Sequence, residues 1–163
     1  MSGKIIDADE LARRAKQLRD AGKKLVVTNG CFDLLHVGHV RYLAAARAVG
    51  DALAVGVNGD RSVRELKGAG RPLNNERDRA EVLAALACVD FVTIFDDKRA
   101  TRLLEKVGPA VYAKGGDYTT ATLDAEERAA LEKVGAEIHI IPFEQGYSTS
   151  GLLEKLRGTG RSK

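Results

Sequence analysis

Residues 25–39 read Leu-Val-Val-Thr-Asn-Gly-Cys-Phe-Asp-Leu-Leu-His-Val-Gly-His, and this stretch decides the fold. An apolar run is followed by a glycine turn, and two histidines then precede an alanine-rich helical run over 40–49. This order predicts a buried strand, a turn and a helix N-terminus. Because positions i and i+3 share one helix face, the imidazoles of His36 and His39 can face the same ligand. The unbonded N–H groups and the positive dipole end of a helix start favour a phosphate, and Gly38 leaves room for its close approach.

Apolar and helical runs alternate along the rest of the chain and are joined by short links. The apolar runs predict five strands, at 24–29, 52–58, 91–95, 111–114 and 137–142. The helical runs predict helices at 7–21, 37–49, 99–106, 124–134 and 148–157, and a further helix that is capped by Asn74 or Asn75 and runs to about 87. Residues 62–66 are expected to form a short helix or a loop. This alternation predicts a Rossmann-like, doubly wound α/β fold with a five-stranded parallel sheet and helices on both faces. We expect one domain over 1–163, with an N-terminal helix in 1–23, a mobile glycine-rich loop at 68–72 and a flexible tail at 158–163.

Polar motifs follow the ends of four predicted strands. They occupy residues 29–39, 58–60, 114–118 and 144–149. Ligands of open parallel sheets bind outside the carboxyl ends of the strands, near the point where the strand order reverses. The four motifs are therefore expected to meet at one edge of the sheet and to form one site.

Composition excludes several classes of protein. The 163 residues include 26 basic and 23 acidic side chains, and aromatic residues make up 5% with no tryptophan, so a nucleic-acid-binding surface is disfavoured. No apolar run approaches the roughly 20 residues that span a bilayer, and the N-terminus has no secretory signal. The two cysteines, Cys31 and Cys88, predict reduced thiols in a cytoplasmic protein. The chain has neither a dinucleotide-binding glycine motif nor a P-loop, which disfavours a nicotinamide dehydrogenase and a P-loop enzyme.

The pattern Gly-x-Phe-Asp-x-x-His-x-Gly-His at 30–39 resembles the first motif of the nucleotidyltransferase superfamily that carries a His-x-Gly-His box. Four further segments follow in the order of that family: Val-Asn-Gly-Asp at 57–60, Leu-Lys-Gly running to Arg-Pro over 66–72, Lys-Gly-Gly-Asp-Tyr at 114–118 and Gly-Tyr-Ser-Thr-Ser at 146–150. Together they are most similar to the adenylyltransferase branch that makes ADP-heptose. Gly59 stands where that branch often has serine, and Ser150 stands where it often has threonine.

The resemblance implies transfer of AMP from ATP to a sugar 1-phosphate, with D-glycero-D-manno-heptose 1-phosphate as the expected acceptor. ADP-heptose for cell-envelope glycan, and pyrophosphate, would be the products. Mg²⁺ is expected to arrive with ATP rather than in a site made by the protein. Many relatives carry a sugar kinase as well, and none is visible in these residues, so we expect a separate protein to phosphorylate the sugar. The resemblance also implies a possible homodimer, with no nucleic-acid or membrane partner.

Nucleotidyl transfer is an in-line displacement at the α-phosphorus of a nucleoside triphosphate, with pyrophosphate as the leaving group. The attacking phosphate is already largely ionised near neutral pH, so positioning and charge relief matter more than a strong base. His36 and His39 are expected to donate hydrogen bonds to the triphosphate. Lys67, a compact cation, is expected at the β- and γ-phosphates or at the departing pyrophosphate.

The remaining site predictions follow the motifs. Nucleotide binding is expected from Asn29, Gly30, Cys31, Phe32, Gly38, Lys114, Gly115, Asp117, Gly146, Tyr147, Ser148 and Thr149. Substrate binding is expected from Asp33, Asn58, Asp60, Arg71 and Arg77. Asp33 could instead orient a histidine or help to recruit Mg²⁺, and Asp60 could contact either the ribose or the sugar.

Other interpretations of these residues stay open at this point. Lys67 could be a surface charge, Arg71 and Arg77 could be solvated, and Asp33 could only form a turn. A zinc site is disfavoured because the histidine pair lacks nearby ligands and His139 lies far along the chain. At the level of function, the alternatives are a cytidylyltransferase acting on glycerol 3-phosphate or a similar phosphate, and a nucleotide-binding regulatory module without turnover.

Overall fold

The computed structural model describes residues 3–116 and 119–159, which form five strands and seven helices. The strands are β1 (Leu25–Gly30), β2 (Ala52–Asn58), β3 (Phe91–Phe95), β4 (Val111–Gly115) and β5 (Glu137–Ile141). The helices are α1 (Ala8–Asp20), α2 (Val37–Ala48), α3 (Asp60–Lys67), α4 (Glu76–Ala84), α5 (Thr101–Val107), α6 (Ala125–Val134) and α7 (Thr149–Thr159).

The five strands form one parallel sheet in the order β3-β2-β1-β4-β5. The chain runs outward from β1 through β2 to β3, then returns to the other side of β1 for β4 and β5. The strand order therefore reverses between β1 and β4, and a crevice opens there at the carboxyl ends of the strands. The predicted parallel sheet is confirmed.

Both faces of the sheet are covered by helices, as predicted. On one face α2 and α4 bury Leu43 and Leu83, and on the other α1, α5 and α6 bury side chains that include Leu104. Adjacent residues of β1 point to opposite sides, since Val26 belongs to the first cluster and Val27 to the second. A strand that is buried on both faces needs a continuous apolar run, which is why Leu-Val-Val opens β1.

Several predicted helix boundaries were wrong; α5, for example, begins at Thr101 rather than at 99. Helix α3 begins at Asp60, directly after Gly59, and continues through Lys67 to end at Gly68, where φ is +91°. Helix α4 stops at Ala84 because two successive short turns, from Leu83 to Leu86 and from Leu86 to Val89, lead the chain into β3.

Helix α7 continues to Thr159, so Gly158 is helical and is not part of a tail. The rest of the predicted tail, 160–163, lies outside the described residues. No helix in the described ranges has the length and apolar character that a bilayer crossing requires.

Candidate active site

A cavity with two lobes opens at the carboxyl ends of β1 and β4. The inner lobe has a volume of about 350 Å³ and is lined by residues that include Asn29, Gly30, Cys31, Phe32, Asp33, Tyr42, Lys114 and Gly115. The outer lobe has a volume of about 280 Å³ and lies between the N-termini of α2 and α7, where it is lined by residues that include His36, Gly38, Glu144, Tyr147, Ser148 and Ser150. Both lobes are bordered by His39, Lys67, Arg71, Phe143 and Thr149. Motifs from widely separated parts of the sequence thus surround one space.

The two histidines stack at the N-terminus of α2. His36 is the N-cap residue, and its ring centroid lies 3.9 Å from that of His39 with an interplanar angle of 27°. The backbone N–H of His36 donates to Nδ1 of His39 at 3.4 Å. In a neutral His39 ring the proton is therefore on Nε2, which can act as a donor. Nδ1 of His36 is buried and has no hydrogen-bond partner among the described residues, so a ligand could satisfy it.

The surroundings of the pair favour the neutral form of both imidazole rings. The pKa of His39 is lowered to about 4, mainly by burial and to a smaller extent by the nearby His36 and Lys67. Burial also lowers the pKa of His36. A neutral imidazole can still donate a hydrogen bond through its N–H group. Neutral forms of His36 and His39 need no counter-ion before an anionic ligand binds.

Phe32 shapes the turn that leads to the histidines. Its backbone has φ of +47°, in the left-handed region that bulky residues rarely occupy. The ring is almost completely buried, and its centroid lies 5.5 Å from that of His39 in an edge-on arrangement. This strained turn places the aromatic ring beside His39.

The N-terminus of α7 forms the other side of the outer lobe. Ser148 caps the helix, because its Oγ accepts the N–H of Gly151 at 2.9 Å and its carbonyl accepts the N–H of Leu152 at 3.1 Å. Thr149 Oγ1 donates to the carbonyl of Leu34 at 3.4 Å, which ties α7 to the loop before α2. The free N–H groups of this helix start and the Ser148 hydroxyl proton are available to a phosphate.

Gly38 has a packing role in addition to the expected one. A Cβ at this position would lie 2.9 Å from Nδ1 of His36 and 2.9 Å from Cβ of Tyr147. The glycine therefore lets the segment before α7 approach the start of α2. Tyr147 is held by Arg41, whose guanidinium lies 5.6 Å from the centre of the tyrosine ring, and Arg41 forms an ion pair with Glu144.

Asp33 and Arg71 fix the loop that follows α3. The carboxylate of Asp33 accepts the N–H groups of Leu73 and Asn74, each at 2.9 Å, and its Oδ2 lies 3.2 Å from Nε of Arg71. This geometry favours a positioning role for Asp33 over contact with the histidines or a metal. Lys67, the last residue of α3, is exposed and borders both lobes.

Arg79 is a structural residue that the sequence reasoning did not single out. Its side chain is fully buried, and it donates to the carbonyls of Cys31 and Asn74 at 2.6 and 3.0 Å and to Oδ1 of Asp60 at 2.8 Å. One guanidinium thus joins three pieces of chain: the segment after β1, the start of α3 after β2, and the loop before α4. Its burial could have been suspected from its spacing, because Arg79 lies four positions before Leu83 and both are on the buried face of α4.

Three of the predicted substrate residues do not border either lobe. Asn58 is buried and donates to Ser62 Oγ and to the Asp97 carbonyl, Asp60 pairs with Arg79, and Arg77 is exposed on the first turn of α4. The geometry does not favour direct substrate contact by these side chains.

The other predicted residues have mixed placements. Asn29 accepts the Tyr112 hydroxyl at 2.7 Å, and Asp117 lies outside the described residues. Gly146 precedes the α7 N-terminus with φ of +90°. Burial is the main cause that raises the pKa of the Cys31 thiol, which does not favour a thiolate nucleophile. His139 lies on β5, with Nε2 3.5 Å from the Glu137 carboxylate.

The reversal of strand order, the histidine pair and the two helix N-termini define a nucleotidyltransferase type of α/β domain. The family model described as cytidylyltransferase-like matches residues 27–155, and the chain belongs to this family.

Curated relatives match almost the whole chain. Bifunctional protein HldE of Geotalea uraniireducens (strain Rf4) is 52% identical over 160 residues, which are 98% of this chain and 32% of that protein. Its counterpart in Geobacter metallireducens is 47% identical over 153 residues, which are 94% of this chain and 31% of that protein. The chain thus spans about a third of the length of the curated relatives it matches.

Two solved structures share the fold. The lipopolysaccharide core biosynthesis protein from Thermoplasma volcanium GSS1 superposes with a TM-score of 0.63 at 27% identity, covering 78% of this chain and all of that one. Pantoate-beta-alanine ligase from Francisella tularensis, solved with beta-gamma ATP and beta-alanine, gives a TM-score of 0.59 at 15% identity, covering 90% of this chain and 69% of that one. The second likeness concerns the fold alone.

Proposed function

We propose that the chain transfers AMP from ATP to D-glycero-D-manno-heptose 1-phosphate and releases pyrophosphate. The observation that carries this proposal is the meeting of His36, His39, Lys67 and the N-terminus of α7 around one cavity. The likeness to HldE proteins and to a lipopolysaccharide core biosynthesis protein supports ADP-heptose as the product, for use in cell-envelope glycan.

In the proposed reaction an oxygen of the sugar phosphate attacks the α-phosphorus of ATP. The new phosphorus–oxygen bond forms as the bond to pyrophosphate breaks, and negative charge builds on the transferring and leaving groups. Nε2–H of His39 donates to that charge, and the ammonium group of Lys67 neutralises part of it. His36 holds the adjacent ring in place by stacking and by its backbone hydrogen bond. The N–H groups at the start of α7, with Ser148 and Thr149, hold further phosphate oxygens.

Mg²⁺ enters this proposal as part of the MgATP substrate. The two carboxylates that line the cavity among the described residues are already paired, Asp33 with two backbone N–H groups and Arg71, and Glu144 with Arg41. No group of three or more histidine, cysteine or acidic side chains that could hold a metal occurs within 3–116 and 119–159. A metal carried by the phosphates is consistent with both observations.

We place the ribose and base in the inner lobe beside Lys114 and Gly115, and the sugar phosphate toward Arg71. The chain is proposed to work as one domain over 1–163, since the described strands form a single sheet. A homodimer and a cytoplasmic location, where ATP is abundant, complete the proposal.

A cytidylyltransferase acting on glycerol 3-phosphate or a similar phosphate is a second candidate, favoured by the description of the matching family. The deciding experiment measures pyrophosphate release from each of the four nucleoside triphosphates with a panel of sugar and alcohol phosphates. The proposal expects turnover with ATP and heptose 1-phosphate. Turnover with CTP and an alcohol phosphate supports the second candidate, and ATP binding without turnover on any acceptor supports a regulatory module.

A further inference from the structure

Besides the two histidines, four phenylalanine and tyrosine side chains line the cavity within the described residues. They differ in how much of each ring is exposed and in whether another side chain already covers it. Phe32 is 9% exposed and Tyr42 is 7% exposed, so both belong to the core. Tyr147 is 43% exposed, but the guanidinium of Arg41 already lies over its ring. Phe143 is 57% exposed and borders both lobes.

The ring of Phe143 is supported from one side. A Cβ on Gly115 would lie 2.8 Å from Cε1 of the ring, and a Cβ on Gly116 would lie 2.6 Å from Cε2. The ring therefore lies across the backbone of these two glycines at the end of β4. The Tyr42 ring meets it edge-on, with centroids 6.0 Å apart. These glycines make room for an aromatic side chain of the protein, whereas the sequence predicts that Gly115 binds the nucleotide.

Exposing a large apolar ring to water is unfavourable, and covering the Phe143 ring with a ligand in the cavity would recover part of that free energy. A nucleobase has flat faces that an aromatic ring can cover, and each stacked base contributes measurable affinity. Phe143 also lies shortly before Ser148 in the chain, at the junction of the lobe assigned to the ribose and the lobe assigned to the phosphates.

We propose that Phe143 is the platform on which the base of the bound nucleotide stacks. The inference rests on the proposed function, because it takes the ligand to be a nucleoside triphosphate. Stacking is tolerant of base identity, since every base has a π face. Phe143 therefore supplies affinity for the nucleoside part, and choice among bases depends on other groups.

Calorimetric titration of the whole chain with MgATP, MgCTP and magnesium tripolyphosphate, which has no base, tests the inference. Replacing Phe143→Leu keeps an apolar side chain on the two glycines but removes the aromatic face. We expect it to raise the Kd for any nucleoside triphosphate that the wild type binds by at least about fivefold. The Kd for tripolyphosphate should stay unchanged, and Phe143→Trp should restore nucleotide affinity.

The matched control is Leu156→Ala, which removes another exposed apolar side chain, on α7 and outside both lobes. Thermal unfolding of each variant checks that the fold is retained. If Phe143→Leu binds nucleotides as tightly as the wild type, or loses affinity equally for nucleotides and tripolyphosphate, the platform role is wrong and the proposed function still stands. If the wild type binds no nucleoside triphosphate, the proposed function fails, and the inference fails with it.

Discussion

Replacing Arg79→Met should destabilise the protein strongly although the new side chain is of similar length. The change removes the donors that serve the carbonyls of Cys31 and Asn74 and leaves the Asp60 carboxylate without its partner. Breaking a buried ion pair from one side costs about 3–5 kcal/mol, and we take the lower end because Asp60 is 26% exposed. With a urea dependence of about 2 kcal/mol per molar, the unfolding midpoint should fall by roughly 1.5 M.

The matched control is Arg77→Met on the same helix. Arg77 is exposed, so its replacement should change the unfolding free energy by less than about 0.5 kcal/mol. Arg79→Lys should recover only part of the loss, because an ammonium group cannot reproduce the three-way geometry of the guanidinium. Equal urea midpoints for Arg79→Met and Arg77→Met would refute the idea that this arginine joins the loops of the site.

Three further predictions concern the proposed chemistry and the charge state of the site. Replacing His39→Ala should reduce kcat at least about a hundredfold with little change in the thermal midpoint, whereas wild-type turnover would exclude the donor role. Stability should fall with acidification between pH 6.5 and pH 4, because the unfolded chain binds a proton at the ordinary histidine pKa of 6.5 and folded His39 does so only at about 4. His39→Gln should weaken this dependence in urea titrations at several pH values, and an identical profile would contradict the pKa shift. Lys67→Met should lower kcat/KM for ATP about tenfold or more in a pyrophosphate-release assay, and an unchanged value would make Lys67 a surface charge.

The architecture was predictable because its signals are local. Leu25, Val26 and Val27 form a continuous apolar run, which is what a strand buried on both faces needs. The order of strands and helices along the chain then restricts the topology to a parallel sheet. Helix ends were harder to predict. Residues 85–88, Ala-Leu-Ala-Cys, contain no glycine or proline that would end a helix, and α4 ends only because two short turns lead the chain into β3.

The site was predictable in part. His36 and His39 are close in sequence, so one motif revealed them both. Arg79 acts through contacts with residues 19 and 48 positions away, which no local pattern contains. Phe143 could be recognised only in the folded protein, because its ring packs on Gly115 and Gly116, which lie far from it in the sequence.

The cavity is formed by segments that lie far apart in the sequence. Thr149 bonds to Leu34, 115 residues earlier, and this contact links α7 to the histidine segment. The unit β1–α2–β2 is local in the sequence, whereas β4 pairs with β1 only after the chain has passed through β2 and β3. The outer lobe is therefore complete only when the last described helix is docked on the histidine segment, and a change that loosens this docking should weaken polyphosphate binding even where it touches no phosphate-binding group.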